Sequence, residues 1–375
     1  MRIVITGADG FIGKNLRVRL RELGYTDVLS ITSASSNSEL NDAVAQADFV
    51  FHLAGVNRPQ DPAAFVSGNI DFTKSLCAAL TAVGRPVPVL FASSTQAAVD
   101  NPYGRSKIAA EAALLDYALR TSAPVMLFRL TNVFGKWCRP NYNSAVATFC
   151  HNITRGLTVT VNDPSAPLQL VYVDDVVTAF IQQISAARAT DGFVEAGPIY
   201  STTVGELVQT LQSFAASRHS LMTPRVGAGL VRALYATYVS HLPPDLFDYT
   251  VARHVDPRGE FVEMLKTPDC GQFSYFTAGP GITRGEHYHH SKTEKFLVIR
   301  GTAHFGFRHI ATGQLHEVIT RGGEARIVET VPGWTHNISN IGDEEMIVML
   351  WANEVFDRAQ PDTVALKVLV ATDGR

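Results

Sequence analysis

The run Ile3-Val4-Ile5-Thr6-Gly7-Ala8-Asp9-Gly10-Phe11-Ile12-Gly13 constrains this chain more than any other stretch. A short β-branched segment ends in Gly7, Gly10 and Gly13 follow at intervals of three, and a helical pattern begins at once. Glycines at a strand-to-helix turn let the backbone approach a pyrophosphate. The helix start adds free N–H groups and the positive end of its dipole. The spacing is Gly-x-x-Gly-x-x-Gly, not the commoner Gly-x-Gly-x-x-Gly.

To about residue 185, short apolar runs alternate with helical patterns. Strands are expected at Ile3–Thr6, Val28–Ile31, Phe49–Leu53, Val87–Ala92 and Val125–Arg129, with helices such as Phe11–Leu23 and Ile70–Val83 between them. Strict alternation predicts an α/β fold, a doubly wound parallel sheet of the Rossmann type. Residues 203–241 read as mostly helical, and Pro243-Pro244 breaks that pattern. Beyond about residue 250 the texture changes to short strands between glycine, proline and charged turns: Phe261–Lys266, Gln272–Thr277, Lys295–Ile299, Ala303–Arg308, His316–Thr320, Ala325–Thr330 and Glu345–Trp351. These predict an all-β antiparallel sandwich or barrel. The expected domains are therefore 1–243 and 244–375, as 375 residues exceed one core.

At the end of the second expected strand, Ser30-Ile31-Thr32-Ser33 contains no acid for a ribose 2′-hydroxyl. That leaves room for a 2′-phosphate near Ser33 and leans toward NADP, although no arginine stands there to hold it. Further on, Asn101-Pro102-Tyr103-Gly104-Arg105-Ser106-Lys107 opens a helix and places Tyr103 and Lys107 on one face. A phenol has an ordinary pKa of about 10, and a neighbouring ammonium favours the phenolate. Tyr103 can then give its proton to the oxygen of a ketone that receives hydride. Upstream, the hydroxyls of Ser93-Ser94-Thr95 end the fourth strand and could hold the substrate oxygen.

A second constellation lies in Gly281-Ile282-Thr283-Arg284-Gly285-Glu286-His287-Tyr288-His289-His290-Ser291-Lys292-Thr293-Glu294. Residues two apart on a strand share a face, so His287 and His289 point together. Glu294 opens the next strand and His336 lies in Gly333-Trp334-Thr335-His336-Asn337. Three imidazoles and a carboxylate suit zinc or another borderline divalent ion.

The formal net charge is −3 with no basic block, which removes electrostatic support for nucleic acid or an anionic membrane. No apolar run reaches the length of a membrane span, and the start lacks the pattern of a secretory signal. Cys77, Cys138, Cys150 and Cys270 have no paired spacing and read as reduced thiols. The cytoplasm is the expected compartment.

Residues 1–240 resemble the extended short-chain dehydrogenase/reductases that act on nucleotide sugars. The resemblance rests on Thr6–Gly13, His52-Leu53-Ala54-Gly55, Asn69 with Thr73, Ser94, Tyr103 with Lys107, Arg129-Leu130-Thr131-Asn132-Val133-Phe134-Gly135 and Tyr172-Val173-Asp174-Asp175. It implies catalysis by Ser94, Tyr103 and Lys107. It also implies cofactor contacts from Gly7, Gly10, Phe11, Ile12, Gly13, Ser33, Leu53, Ala54, Gly55, Asn69 and Lys107, and substrate contacts from Asn132 and Arg139. Only eight residues separate Ser94 from Tyr103, fewer than in most relatives. The rear half resembles the cupin superfamily through Gly281, His287, His289, Glu294 and Gly301. His336 and Asn340 fit its second motif, in which Pro332 and Gly333 are here adjacent. With Gly135-Lys136-Trp137-Cys138-Arg139-Pro140-Asn141-Tyr142-Asn143-Ser144 and Asn353-Glu354-Val355-Phe356-Asp357, the whole chain is similar to CapF-type capsular polysaccharide biosynthesis enzymes. That similarity implies a homodimer acting on a UDP-linked 4-keto-6-deoxy amino sugar. The cupin would invert C3, and the front domain would reduce C4 with NADPH.

Overall fold

The computed structural model describes residues 1–186, 192–256, 259–262, 264–267, 271–354 and 359–369. Cys270 and the run Val355-Phe356-Asp357 lie outside the described residues. The backbone sorts into two units: Met1–Phe134 with Asn141–Ser144 and Leu168–Thr202, and Gly135–Pro140 with Ala145–Pro167 and everything from Thr203 onward. No helix among the described residues is long and apolar enough to cross a membrane.

The first unit is built on β1 (Ile3–Thr6), β2 (Val28–Ile31), β3 (Phe49–His52), β4 (Val89–Ser94) and β5 (Val125–Leu130). Between them run α1 (Phe11–Glu22), α2 (Asn37–Ala45), α3 (Phe72–Ala82) and α4 (Pro102–Thr121). Two short strands, β6 (Asn132–Phe134) and β7 (Pro167–Tyr172), follow, then β8 (Gly192–Phe193) and β9 (Ile199–Thr203). The main sheet has the order β2-β1-β3-β4-β5-β8, all parallel. This is the doubly wound α/β sheet the alternation predicts. Its strand direction of travel reverses beside β1, so the crevice for a ligand opens at the carboxyl ends of β1 and β3. Ile3, Val4, Ile5, Phe49, Val50 and Phe51 are fully buried, as a sheet covered on both faces requires. Leu76 and Leu80 of α3 and Leu114 and Tyr117 of α4 close one face over Val4, Val89 and Leu127. The helix expected at Ile70–Val83 begins later, at Phe72, because Val66–Asp71 form a π-helical turn. Such turns insert an extra residue and often mark sites; this one carries Asn69.

In the second unit α5 (Ala145–Thr154), α7 (Val204–Ser220) and α8 (Gly229–Ser240) accompany a double sheet, α6 (Val173–Ala186) belonging to the first unit. The strands are β10 (Asp248–Thr250), the hairpin β11 (Arg253–Asp256) and β12 (Gly259–Val262), then β13 (Gln272–Ala278), β14 (Thr283–Tyr288) and β15 (Glu294–Arg300). They continue as β16 (Thr302–His309), β17 (Leu315–Arg321), β18 (Arg326–Glu329), β19 (Trp334–Asn340), β20 (Met346–Ala352) and β21 (Val364–Ala365). Two five-stranded antiparallel sheets result, β10-β18-β15-β20-β13 and β17-β16-β19-β14-β21. Phe296 of one meets Phe305 of the other with ring centroids 5.6 Å apart, so the sheets pack face to face. The strand expected at Phe261–Lys266 stops at Val262, and Lys266 instead bridges to Met222.

Strand alternation turns Lys295 and Glu329, cross-strand partners, to the outer face of the first of these sheets. There Arg218 of α7 and Lys295 both bond the Glu329 carboxylate, and Lys295 Nζ donates to Tyr249 Oη at 2.8 Å. Burial opposes the charge on Glu329, but Arg218 and Lys295 hold its carboxyl at about 2. Because that value is depressed in the fold, its stabilisation is present above the ordinary carboxylate pKa of about 4.3 and is lost as pH falls toward about 2. Glu329→Ala strands two buried cations and should cost about 3–5 kcal/mol in urea unfolding at pH 7. A change below about 1 kcal/mol would mean the cluster is solvated.

Candidate functional site

The turn from β1 to α1 is shaped by what its glycines exclude. Gly7 has φ +68°, and a Cβ there would lie 2.6 Å from the Ala54 nitrogen. A Cβ on Gly13 would lie 2.8 Å from the Ala8 carbonyl oxygen and would overlap that of Gly7. The turn is thus pressed against Leu53-Ala54-Gly55 on one side and against its own helix on the other. Gly10 caps α1 with no side-chain bond, and no acid stands in the first turn with Phe11 and Ile12. The helix start therefore keeps its N–H donors and positive dipole for an anion. Gly13→Ala should weaken dinucleotide binding at least about tenfold, since about 1.4 kcal/mol of cradle distortion suffices; a fluorescence titration with unchanged affinity would contradict this. Ser33 lies exposed in the turn after β2, where Gly7 N donates to Ile31 O at 2.9 Å.

A polar chain leads from this turn to α4. Thr73 Oγ1 donates to Asn69 O at 2.6 Å, so it must accept from His52 Nε2 at 2.8 Å. His52 Nδ1 then accepts from Thr6 Oγ1, also at 2.8 Å. A neutral imidazole is required, and burial, aided by Lys107, pushes His52 down to about 3. Asn69 Nδ2 donates to Val56 O and to Ser106 Oγ, each at 2.8 Å. Ser106 Oγ in turn donates to Tyr103 O at 2.7 Å.

Helix α4 starts where expected. Asn101 caps it by accepting from Gly104 N at 2.7 Å, and Pro102 fills the first turn. Its first turn carries Tyr103 and its second Lys107. Lys107 is buried, donates to Ala92 O at 3.0 Å, and lies 5.9 Å from the Tyr103 ring centroid. Gly55 faces the same ammonium, an added Cβ there lying 3.2 Å from Nζ. Of the three hydroxyls at the end of β4, it is Ser94 that stands near enough to the Tyr103 phenol to favour its ionised form. Ser93 Oγ donates to Glu111 at 2.5 Å and Thr95 Oγ1 to Leu130 O at 3.5 Å. The phenol departs from the expectation of a lowered value. Burial raises Tyr103, Ser94 opposes this, and Tyr142 adds to it. Burial also pushes Lys107 down to about 8, against Glu111. The resting site thus holds a protonated phenol beside a cation, the state suited to giving a proton rather than taking one. The two expected substrate residues fall in different units. Asn132 is exposed at the start of β6 and donates to Gln169 O at 3.0 Å, whereas Arg139 is exposed in the second unit.

In the double sheet, His287, His289, Glu294 and His336 place one ligand atom each within 4.8 Å of one another. His287 and His336 are cross-strand partners on β14 and β19, and Glu294 opens β15 of the facing sheet. His289 Nδ1 bonds Asp362 O, which fixes its proton there and turns Nε2 toward Glu294 Oε2 at 3.1 Å. His336 Nε2 lies 3.5 Å from the same oxygen, and its Nδ1 is buried without a hydrogen-bond partner. Burial, then His336 and His289, pushes His287 down to about 4. Burial opposes ionisation of Glu294, yet His289 and His336 hold it well below the usual range. Three imidazoles converging on one carboxylate fit a divalent ion of the zinc type.

Two contributors had escaped the sequence reading. Asp362 accepts from the backbone of His290, Ser291 and Lys292 at 2.7–2.8 Å and so pins the loop between β14 and β15. It is distant in sequence, and no spacing signals it. Glu111 stands four residues after Lys107, a helical step that does put it on the same face. Other polar side chains beside the ligands point elsewhere. Lys295 and His304 bind Glu329 and Glu317, and Tyr288 and His290 alternate away from His287 and His289.

Comparison with known proteins places the chain in a family. Residues 3–194 match the NAD dependent epimerase/dehydratase family, and residues 254–364 match the polysaccharide biosynthesis C-terminal domain. A UDP-2-acetamido-2,6-beta-L-arabino-hexul-4-ose reductase from Pseudomonas aeruginosa is 55% identical over 98% of this chain and 99% of its own. The crystal structure of the capsular polysaccharide assembling protein CapF from Staphylococcus aureus is 42% identical, covers 98% of this chain and 100% of its own, and superposes with a TM-score of 0.67. The chain belongs to the CapF-type family. A UDP-glucose 4-epimerase from Thermotoga maritima, 24% identical over 58% of this chain and 83% of its own with a TM-score of 0.52, shares the front fold alone. CapF-type membership makes this chain an enzyme of the nicotinamide-dependent oxidoreductase type.

Proposed function

We propose that this chain epimerises C3 of a UDP-2-acetamido-2,6-dideoxy-4-keto hexose and then reduces C4 with NADPH, giving a UDP-6-deoxy-talosamine-type sugar. On this reading residues 1–243 carry the reductase and 244–375 a cupin epimerase, working as a cytoplasmic homodimer. The observation that carries the reductase is the placement of a protonated Tyr103 beside buried Lys107, with Ser94 close to the phenol. Bound NADPH would supply the hydride to C4. Ser94 and Tyr103 hold the C4 oxygen, Tyr103 gives it the phenolic proton, and the Lys107 charge stabilises the phenolate left behind. The absence of an acid near Ser33 supports NADPH over NADH.

For the epimerase, the support is the convergence of His287, His289, Glu294 and His336. A divalent ion there, zinc by its donor set, would act as a Lewis acid and lower the cost of removing the C3 proton. The four side chains hold that charge in a buried site, and Asp362 keeps His289 in the tautomer that presents Nε2. A second reading makes the double sheet a binding or dimerisation module. It is favoured by the outward orientation of Tyr288, His290, His304 and Lys295.

The test is incubation with NADPH or NADH and a panel of UDP-linked 4-keto-6-deoxy sugars, with products identified by NMR. The proposal predicts NADPH oxidation and a product inverted at C3 and reduced at C4. Oxidation of neither cofactor with any of them would overturn it.

A further inference from the structure

Three consecutive residues at the end of β4 grip three successive turns of α4. Ala92 O accepts from Lys107, Ser93 Oγ donates to Glu111, and Ser94 stands close to the Tyr103 phenol. Tyr103, Lys107 and Glu111 recur every four residues and form one stripe on the helix. The first two belong to the proposed chemistry; the third has no assigned part. Glu111 is only 3% exposed. Arg129 of β5 clamps it with two bonds, Nε to Oε1 at 3.0 Å and Nη2 to Oε2 at 2.7 Å. The Arg129 side chain is 32% exposed, so water screens its charge, while the Glu111 carboxylate lies buried on the same helix stripe as Lys107.

We propose that Glu111 is a positioning residue of the reductase site, its carboxylate aimed by Ser93 and Arg129 to keep the buried Lys107 ammonium charged beside Tyr103. The inference rests on the reductase reading. The groups that face Lys107 from the elements around it leave no other anion for the task. Tyr103 shares its helix as a protonated phenol, His52 of β3 is neutral, and β4 offers only the carbonyl of Ala92. Asn69 and Gly55 bring an amide and bare backbone. Burial drives Lys107 toward its neutral form and Glu111 resists that drive, so the cation persists at neutral pH and is lost as pH rises past about 8. Without the carboxylate the loss begins at lower pH.

The experiment is the pH profile of kcat/KM for NADPH-dependent ketone reduction by the intact chain, which reports groups of the free enzyme. In Glu111→Gln the alkaline fall is expected to move about 1–3 units toward acid, the effect of one nearby opposite charge. Activity should recover at the acid end. An equal loss at every pH, with the fall unmoved, would overturn the inference and leave Glu111 a packing residue. Should Glu111→Gln fail to fold, Ser93→Ala removes one of the three bonds to the carboxylate and should move the fall in the same direction by less. An unmoved fall in that variant also overturns it. If the unaltered chain oxidises no NADPH, the reductase reading goes first and the inference with it.

Discussion

Tyr103→Phe is expected to lower the rate of ketone reduction by about 10²–10⁴-fold while leaving NADPH binding unchanged. The substitution removes one oxygen from a ring that stays wedged against Phe65, whose centroid lies 5.8 Å away. Neither the glycine cradle nor the Lys107 bond to Ala92 O depends on that oxygen. What disappears is the proton that the new alkoxide needs. Single-turnover oxidation of NADPH, followed after pre-equilibrating enzyme and cofactor, isolates this step. A reduction rate within about threefold of the unaltered chain would require another acid, because such a ratio is worth less than 1 kcal/mol of barrier.

Glu294→Gln should separate the two proposed reactions. The carboxylate is the only anion in the ligand set, and His289 and His336 both lean on it. Its loss should reduce metal affinity by at least about 10–100-fold, since even outer partners of metal ligands have effects of that size. The reductase in the other unit keeps all its groups, so NADPH oxidation should continue and yield the sugar that retains its original C3 configuration. An inverted product at the normal rate would show that the double sheet is not the epimerase. Point variants are the right tool here. A truncation near residue 243 would strip β10, β15 and β18 from α7 and α8, stranding Arg218 without Glu329.

The sequence announced those features in which one residue type answers one local demand. Gly7 and Gly13 are dictated by close backbone approach, Asn101-Pro102 by helix initiation, and β1, β3, β4 and β5 by near-continuous burial. The metal ligands were legible because strand alternation converts a His-x-His spacing into a shared face. What was illegible depends on distant partners or broken periodicity. Strands β14 and β19 carry ligands yet escaped the strand reading, for Gly285 and Glu286 have positive φ and bulge the first, and Pro332-Gly333 precede the second. The lowered phenol expected of Tyr103 rested on a nearby ammonium favouring the phenolate. In the fold, burial of the ring raises it and outweighs the opposing influence of Ser94. Lys295 follows Glu294 directly, but one residue along a strand is the opposite face.

The account stands on two separable chemistries in one chain, and Tyr103→Phe in deuterium oxide tests that most directly. With a UDP-4-keto sugar and NADPH, NMR should show deuterium entering C3 while NADPH oxidation nearly stops. Undiminished NADPH oxidation, or a C3 proton that never exchanges, would contradict it.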